Sequence, residues 1–193
     1  QLPQAQNTPE FKSAEYNLGY AAYKLKNYNN ANTHFKSYLS VVKDDAKKTD
    51  ATLRLADGYF VTKQYWPAME MYNSILNSNS SYKDYAAFQK AVSYGFVDKN
   101  PTKIEELQNF ISNYKSSSLV DDAYYELGST YANSNQTSKA IETFNQLLTN
   151  YPKSNLASKA ILRQGVVYIN ANDEDKAIER FKKVVNDYPG SQD

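Results

Sequence analysis

The chain has no cysteine and a single histidine among its 193 residues. The first absence removes disulfides, thiolate metal sites and cysteine nucleophiles together. The second leaves His34 with no other imidazole to complete a zinc site or a base–nucleophile pair, and His34 reads as a surface residue. A chain without cysteine suits an oxidising compartment as well as a reducing one. No apolar run approaches the ~18 residues that a membrane-spanning helix needs. Charge of either sign is not in excess: 22 Lys and Arg stand against 21 Asp and Glu, for a net charge of +1. Such a balance leaves no electrostatic footprint for nucleic acid or an acidic membrane surface. The six glycines are single and scattered, so no glycine-rich phosphate loop exists. The chain starts at Gln1 without Met or a leader pattern, which suggests a processed protein or an excised piece.

Carboxylates do cluster, at Asp44-Asp45, Glu105-Glu106, Asp121-Asp122 and Asp173-Glu174-Asp175. Neighbours on a helix point roughly 100° apart, so adjacent acids do not converge on one substrate. Asp121 and Asp122 suit the first turn of a helix, where the dipole favours them, and Asp173 or Glu174 suits a helix start. The last cluster lacks the glycine and distal glutamate of a calcium loop. The expectation is a chain that is not an enzyme and takes no metal or cofactor.

What the sequence has in plenty is tyrosine, 18 residues of it, within an aromatic content of 14%. A buried tyrosine supplies a large apolar ring once its hydroxyl finds a partner, so the polar average does not imply disorder. The aromatics are also ordered in sequence. A small residue and a large apolar one recur four positions apart at Ala31/Phe35, Ala68/Tyr72, Ala140/Phe144 and Ala177/Phe181, with Lys103/Leu107 in the same register. Successive pairs are separated by 37, 35, 37 and 37 residues. A second series runs upstream: Gly19, Ala56, Ala91, Gly128 and Gly165. A period of about 20–50 residues signals stacked repeats. Within each repeat the apolar spacing is helical, as at Ala14, Leu18, Ala21 and Leu25, then breaks at Asn27 and resumes at Tyr28, Ala31, Phe35 and Leu39. That describes two antiparallel helices joined by a tight turn. Small residues belong where the two helices cross. Each fully buried ring or branched chain contributes about 1.5–3 kcal/mol.

The pattern resembles the tetratricopeptide repeat: Leu127-Gly128, Tyr131, Ala140, Phe144 and Pro152 in the fourth copy, and Gly165, Tyr168, Ala177, Phe181 and Pro189 in the fifth. The first copy matches through Leu18-Gly19, Ala31 and Phe35, the second through Leu55-Ala56, Tyr59, Ala68 and Tyr72. The third departs, with Lys103 at a helix crossing. A lysine there must snorkel outward or hold the helices apart, so this hairpin is expected to be the looser one. Between repeats a phrase recurs, Asn113-Tyr114-Lys115-Ser116, Asn150-Tyr151-Pro152-Lys153-Ser154 and Asp187-Tyr188-Pro189-Gly190-Ser191. It resembles the extracytoplasmic bacterial branch of the family, the type of the Tol–Pal coordinator and of the outer-membrane assembly lipoprotein. The resemblance implies an all-α fold, a right-handed α-solenoid of about five helical hairpins, in a periplasmic or outer-membrane-associated setting. The expected organisation is a lead-in at 1–9 and a single solenoid domain over 10–193, with repeats at about 12–48, 49–83, 84–120, 121–157 and 158–191.

In such a repeat the first helices line the concave face. The inward positions include Tyr16, Tyr20, Tyr23, Asp57, Phe60, Tyr85, Phe88, Phe96 and Tyr125, then Lys159, Leu162 and Arg163. The aromatic members, Tyr16, Tyr20, Tyr23, Phe60, Tyr85, Phe88, Phe96 and Tyr125, form the candidate groove for a peptide or partner helix. Lys159 and Arg163 match the final pair of a carboxylate clamp for chaperone tails, but such a clamp would need Lys and Asn where Phe88 and Val92 stand. The expected function is a protein–protein interaction scaffold or adaptor. The alternative is a regulatory or substrate-presenting segment of a larger enzyme whose catalytic part lies elsewhere. The last repeat repeats the linking phrase as it ends, so the natural protein is expected to continue past Asp193. Its exposed face could also support a homodimer.

Overall fold

The computed structural model describes residues 8–43 and 47–189. Among them are ten α-helices and no strand. In order these are α1 (Pro9–Lys24), α2 (Tyr28–Val41), α3 (Lys48–Val61), α4 (Tyr65–Leu76), α5 (Lys83–Gly95), α6 (Asn100–Asn113), α7 (Val120–Asn133), α8 (Thr137–Asn150), α9 (Ala157–Asn170) and α10 (Glu174–Asp187). The expected lead-in lies outside the described residues as far as Asn7, and Pro9 already opens α1 behind Thr8, whose hydroxyl accepts the Phe11 N–H at 3.2 Å. Proline suits this position because its missing N–H would have no helical partner there.

The chain divides into two compact units, 1–97 and 98–193. In the first, α1 pairs with α2 and α3 with α4, while α5 packs on α4. In the second, α6 packs on α7, α7 pairs with α8, and α9 pairs with α10. The boundary falls in the third repeat, between α5 and α6.

The rhythm of small and large residues is the packing code. Ala31, Ala68, Ala140 and Ala177 are wholly buried, and so are Phe35, Leu107 and Phe144. A methyl group placed on Gly19 would stand 2.9 Å from the Phe35 ring, one on Gly128 2.7 Å from Phe144, and one on Gly165 2.3 Å from Phe181. Glycine is therefore dictated by the ring of the second helix lying close against the first. Lys103 neither snorkels into water nor stands alone. Its side chain is 12% exposed, and its ammonium donates to Glu126 on α7 at 2.6 Å.

The turns between first and second helices follow the same beat. Lys26, Lys63, Asp98, Asn135 and Asn172 all take the left-handed conformation, with φ between 55° and 61°. In four of them the next N–H donates to the carbonyl five residues back, Asn27 to Ala22, Gln64 to Tyr59, Gln136 to Tyr131 and Asp173 to Tyr168. This closes the helix end in the six-to-one bond of a Schellman motif. Two of these five positions hold lysine, which gains nothing from that conformation. Three of the links between repeats are equally regular. Ser80, Ser117 and Ser154 each accept the N–H two residues on. Ser117 and Ser154 also donate their own N–H to Tyr114 and Tyr151. The recurring Tyr-x-x-Ser phrase is thus a turn with a side-chain lock, which explains its sequence locally.

Replacing Gly128 with Ala should destabilise the protein by about 1–3 kcal/mol, since the Phe144 ring must move. Lys63→Gly should instead stabilise it by about 0.5–1 kcal/mol, by relieving the left-handed strain less the entropy of glycine. Urea unfolding midpoints check both.

Candidate binding face

The groove positions lie on the first helices of successive repeats, except Phe96, which follows the end of α5. Seven of them lie in the first unit. On α1, Tyr16, Tyr20 and Tyr23 follow helical spacing along one face. Asp50, Arg54 and Asp57 follow the same spacing on α3, and the two rows bond in register. The Tyr16 hydroxyl donates to Asp50 at 2.7 Å, and the Tyr23 hydroxyl to Asp57 at 3.3 Å. Arg54 sits between the two rows. Its Nε donates to Asp50 at 2.9 Å, and its guanidinium lies 4.8 Å from the Tyr20 ring centre and 5.2 Å from that of Tyr23. Lys47 covers the Tyr16 ring at 4.6 Å, and Lys24 approaches Tyr20 at 5.3 Å. Each such cation–ring contact is worth about 0.5–1 kcal/mol at an exposed site.

Asp57 is the centre of this arrangement. Besides Tyr23 it accepts from the hydroxyls of Tyr72 on α4 at 2.8 Å and Tyr85 on α5 at 3.1 Å. One carboxylate thereby ties α1, α4 and α5 to α3. Burial raises its proton affinity above the ordinary carboxylate range, against the opposing pull of the three hydroxyls and of Arg54. Burial and the facing carboxylates push the Tyr16 and Tyr23 hydroxyls up to about 12 and raise those of Tyr72 and Tyr85 as well. All four tyrosines stay protonated and donate at any physiological pH.

The remaining groove positions differ in kind. Phe88 is buried, at 8% exposure. Phe60, Tyr65 and Phe96 form a triangle of rings, with Tyr65 and Phe96 stacked 4.7 Å apart. Phe96 remains 55% exposed and Tyr20 36%. Tyr125 stands in the second unit, half-buried on α7, with its ring 6.0 Å from that of Phe144. On the neighbouring helix α9, Leu162, Val166 and Ile169 are exposed, and Arg163 reaches back to Asn133 of α7 at 2.9 Å. Near the start of α7, burial and the charges of Asp121 and Glu126 hold the Asp122 carboxyl above its ordinary range.

Sequence reasoning placed Asp57 on this face but missed Asp50, Arg54 and Tyr72. The signal was there: the seven-residue step from Tyr16 to Tyr23 is repeated from Asp50 to Asp57. His34, expected at the surface, lies instead against α1, with Nδ1 2.8 Å from the Glu15 carboxylate. Asp173 caps α10 and the first turn of α7 carries Asp121 and Asp122, as expected. Among the described residues no three His, Cys, Asp or Glu side chains are grouped to hold a metal, and no helix is long and apolar enough to cross a membrane. A recess of about 640 Å³ runs along α8 in the second unit and is lined by Thr137, Ile141, Glu142, Asn145 and Tyr168 among others.

Paired helices, small-residue crossings and a shared turn define a helical-repeat protein. The family model of the tetratricopeptide repeat matches residues 13–42, 122–154 and 159–191, so the chain carries tetratricopeptide repeats over these segments. No curated protein matches the sequence. Among solved structures, the chain is similar in fold to MamA, with a TM-score of 0.75 at 20% identity over 96% of this chain and 100% of that one. A MamA fragment from Desulfovibrio magneticus RS-1 gives a TM-score of 0.76 at 16% identity, covering 94% and 97% of the two chains. YrrB, described as a tetratricopeptide-repeat protein with an unusual peptide-binding site, gives 0.66 at 17% identity, covering 91% and 86%.

The raised affinity of Asp57 has a definite sign. As pH rises above 3.8, the ordinary carboxyl value, the unfolded chain loses this proton first. The group's contribution to stability is therefore full below that value and is lost as pH climbs to the higher folded value. Asp57→Asn removes the titration. The variant should gain stability relative to the wild type between about pH 4 and about pH 7, measured by urea unfolding at both ends of that interval.

Proposed function

We propose that this protein is an interaction scaffold that holds an extended peptide or a partner helix against the aromatic face of α1, α3 and α5. The carrying observation is the contrast within that face. Tyr16, Tyr23 and Tyr85 are fixed by Asp50 and Asp57, while Tyr20 and Phe96 stay exposed on the same framework. Rigid aromatic surface costs little entropy when a partner arrives, so more of the contact energy appears as affinity. Arg54 and Lys24 beside Tyr20 favour a partner whose apolar side chains are accompanied by acidic ones. The name given to YrrB records peptide binding on a similar fold, which is in keeping with this reading. A periplasmic or outer-membrane-associated setting belongs to the same proposal. It rests on the Tyr151-Pro152-Lys153-Ser154 phrase, and fractionation of the source cells tests it.

We also infer that the chain associates with itself through its last repeat. There Ile178 is 49% and Val185 70% exposed on α10.

Peptides selected from a display library against the whole chain should bind the Tyr20→Ala and Phe96→Ala variants at least about 10-fold more weakly, the loss typical of a central aromatic contact. Helicity should be unchanged in both. Full affinity in both variants would remove the groove from this face.

A further inference from the structure

Repeat-to-repeat packing within the chain uses two complementary surfaces. One is the outer face of a second helix. Met69 on α4 is 4% exposed, and Ile104, Ile111, Ile141 and Leu148 are half-buried beneath the following helix. Ile178 and Val185 occupy the same register positions on α10, one period after Ile141 and Leu148, and are open. The other surface is the leading face of a first helix, a row of small residues with one larger one. On α3 this row is Ala51, Leu55 and Gly58, all buried. On α7 it is Ala123, Leu127 and Thr130, again all buried. On α9 it is Ala160, Gln164 and Val167, where the Gln164 amide donates to Asn145 on α8 at 2.8 Å.

The equivalent row on α1 is Ala14, Leu18 and Ala21, and all three are exposed, with Leu18 at 50%. One period before Thr62 in the same register stands Leu25, 81% exposed. Among the described residues both halves of the internal interface are thus open, one on α1 and the other on α10. Four copies of that interface, α2 on α3, α4 on α5, α6 on α7 and α8 on α9, show what each half accepts; the first two and the last two are internal to the compact units.

We infer that the occupant of the α10 face is α1 of a second copy, so that copies join head to tail in continuation of the repeat-to-repeat interface. The inference rests on the self-association proposed above and goes further by naming the second surface. The two surfaces differ, so the contact is heterologous and one union leaves both outer ends free. Assembly is then open, and its extent grows with concentration rather than stopping at a dimer. An α10-to-α10 contact would instead be self-complementary and closed.

Sedimentation velocity over a concentration series of the whole chain, with the variants Leu18→Glu and Val185→Glu, tests this. Both substitutions fall on exposed positions, and far-ultraviolet circular dichroism verifies that each variant keeps its helicity. Head-to-tail joining predicts a wild-type mass that rises past the dimer, two variants that are each monomeric, and an equimolar mixture of the variants that forms a dimer and nothing larger. The mixture pairs the one intact tail with the one intact head. If Leu18→Glu still dimerises, the head-to-tail contact is overturned while self-association through α10 stands. A wild type that stays monomeric throughout overturns both.

Discussion

The structure depends on how closely two helices approach at one point in the hairpins that lie within each compact unit. In the first, fourth and fifth hairpins the second helix brings a phenylalanine ring close against a glycine of the first; in the second, Tyr72 and Ala56 hold the corresponding positions. The distances leave no room for a methyl group at Gly19, Gly128 or Gly165. Interiors are packed at crystal-like density, so this close approach fixes the depth of each hairpin and the height at which the next one stacks. The left-handed residue that ends each first helix serves the same purpose. It turns the chain within three residues and delivers the second helix in the register that the ring requires. Lysine is tolerated at two of these turns because the closing hydrogen bond and the packing on both sides outweigh a strain of about 1–2 kcal/mol.

A second layer of organisation rests on charge taken out of water. A buried carboxylate is costly unless it is well supplied with donors. Asp57 receives three tyrosine hydroxyls from three different helices, with Arg54 close by. Those four groups offset part of the cost of desolvating the carboxylate and join four helices of the first unit. The same network decides what the aromatic face can offer. Tyrosines whose hydroxyls are held by Asp50 and Asp57 become fixed walls, while Tyr20 and Phe96 keep exposed ring surface.

Much of this was legible in the sequence. The recurrence of Ala and Phe four apart gave helical hairpins, their number and their turns, because burial of one helix face leaves a periodic mark that survives any detail of packing. The exposed Ile178 and Val185 followed from the same register. Lys103 was harder to read. Its position next to a crossing suggested an outward-facing or wedging lysine, whereas Glu126 from the next helix neutralises it. An ion pair between residues 23 apart leaves no local trace. His34 was misplaced at the surface for the same reason, since the Glu15 that meets it is on the facing helix.

The sequence by itself determined the class of fold and the register of every repeat, because these depend on periodic burial within short segments. It also determined the absence of any cysteine chemistry. Only the tertiary structure decided which tyrosines are framework and which are surface, that a carboxylate on α3 gathers hydroxyls from three other helices, and that the third repeat spans the boundary between two compact units. Those outcomes depend on which side chains meet across helices far apart in the chain. Nothing in a residue's own neighbourhood specifies such meetings until packing brings the helices together.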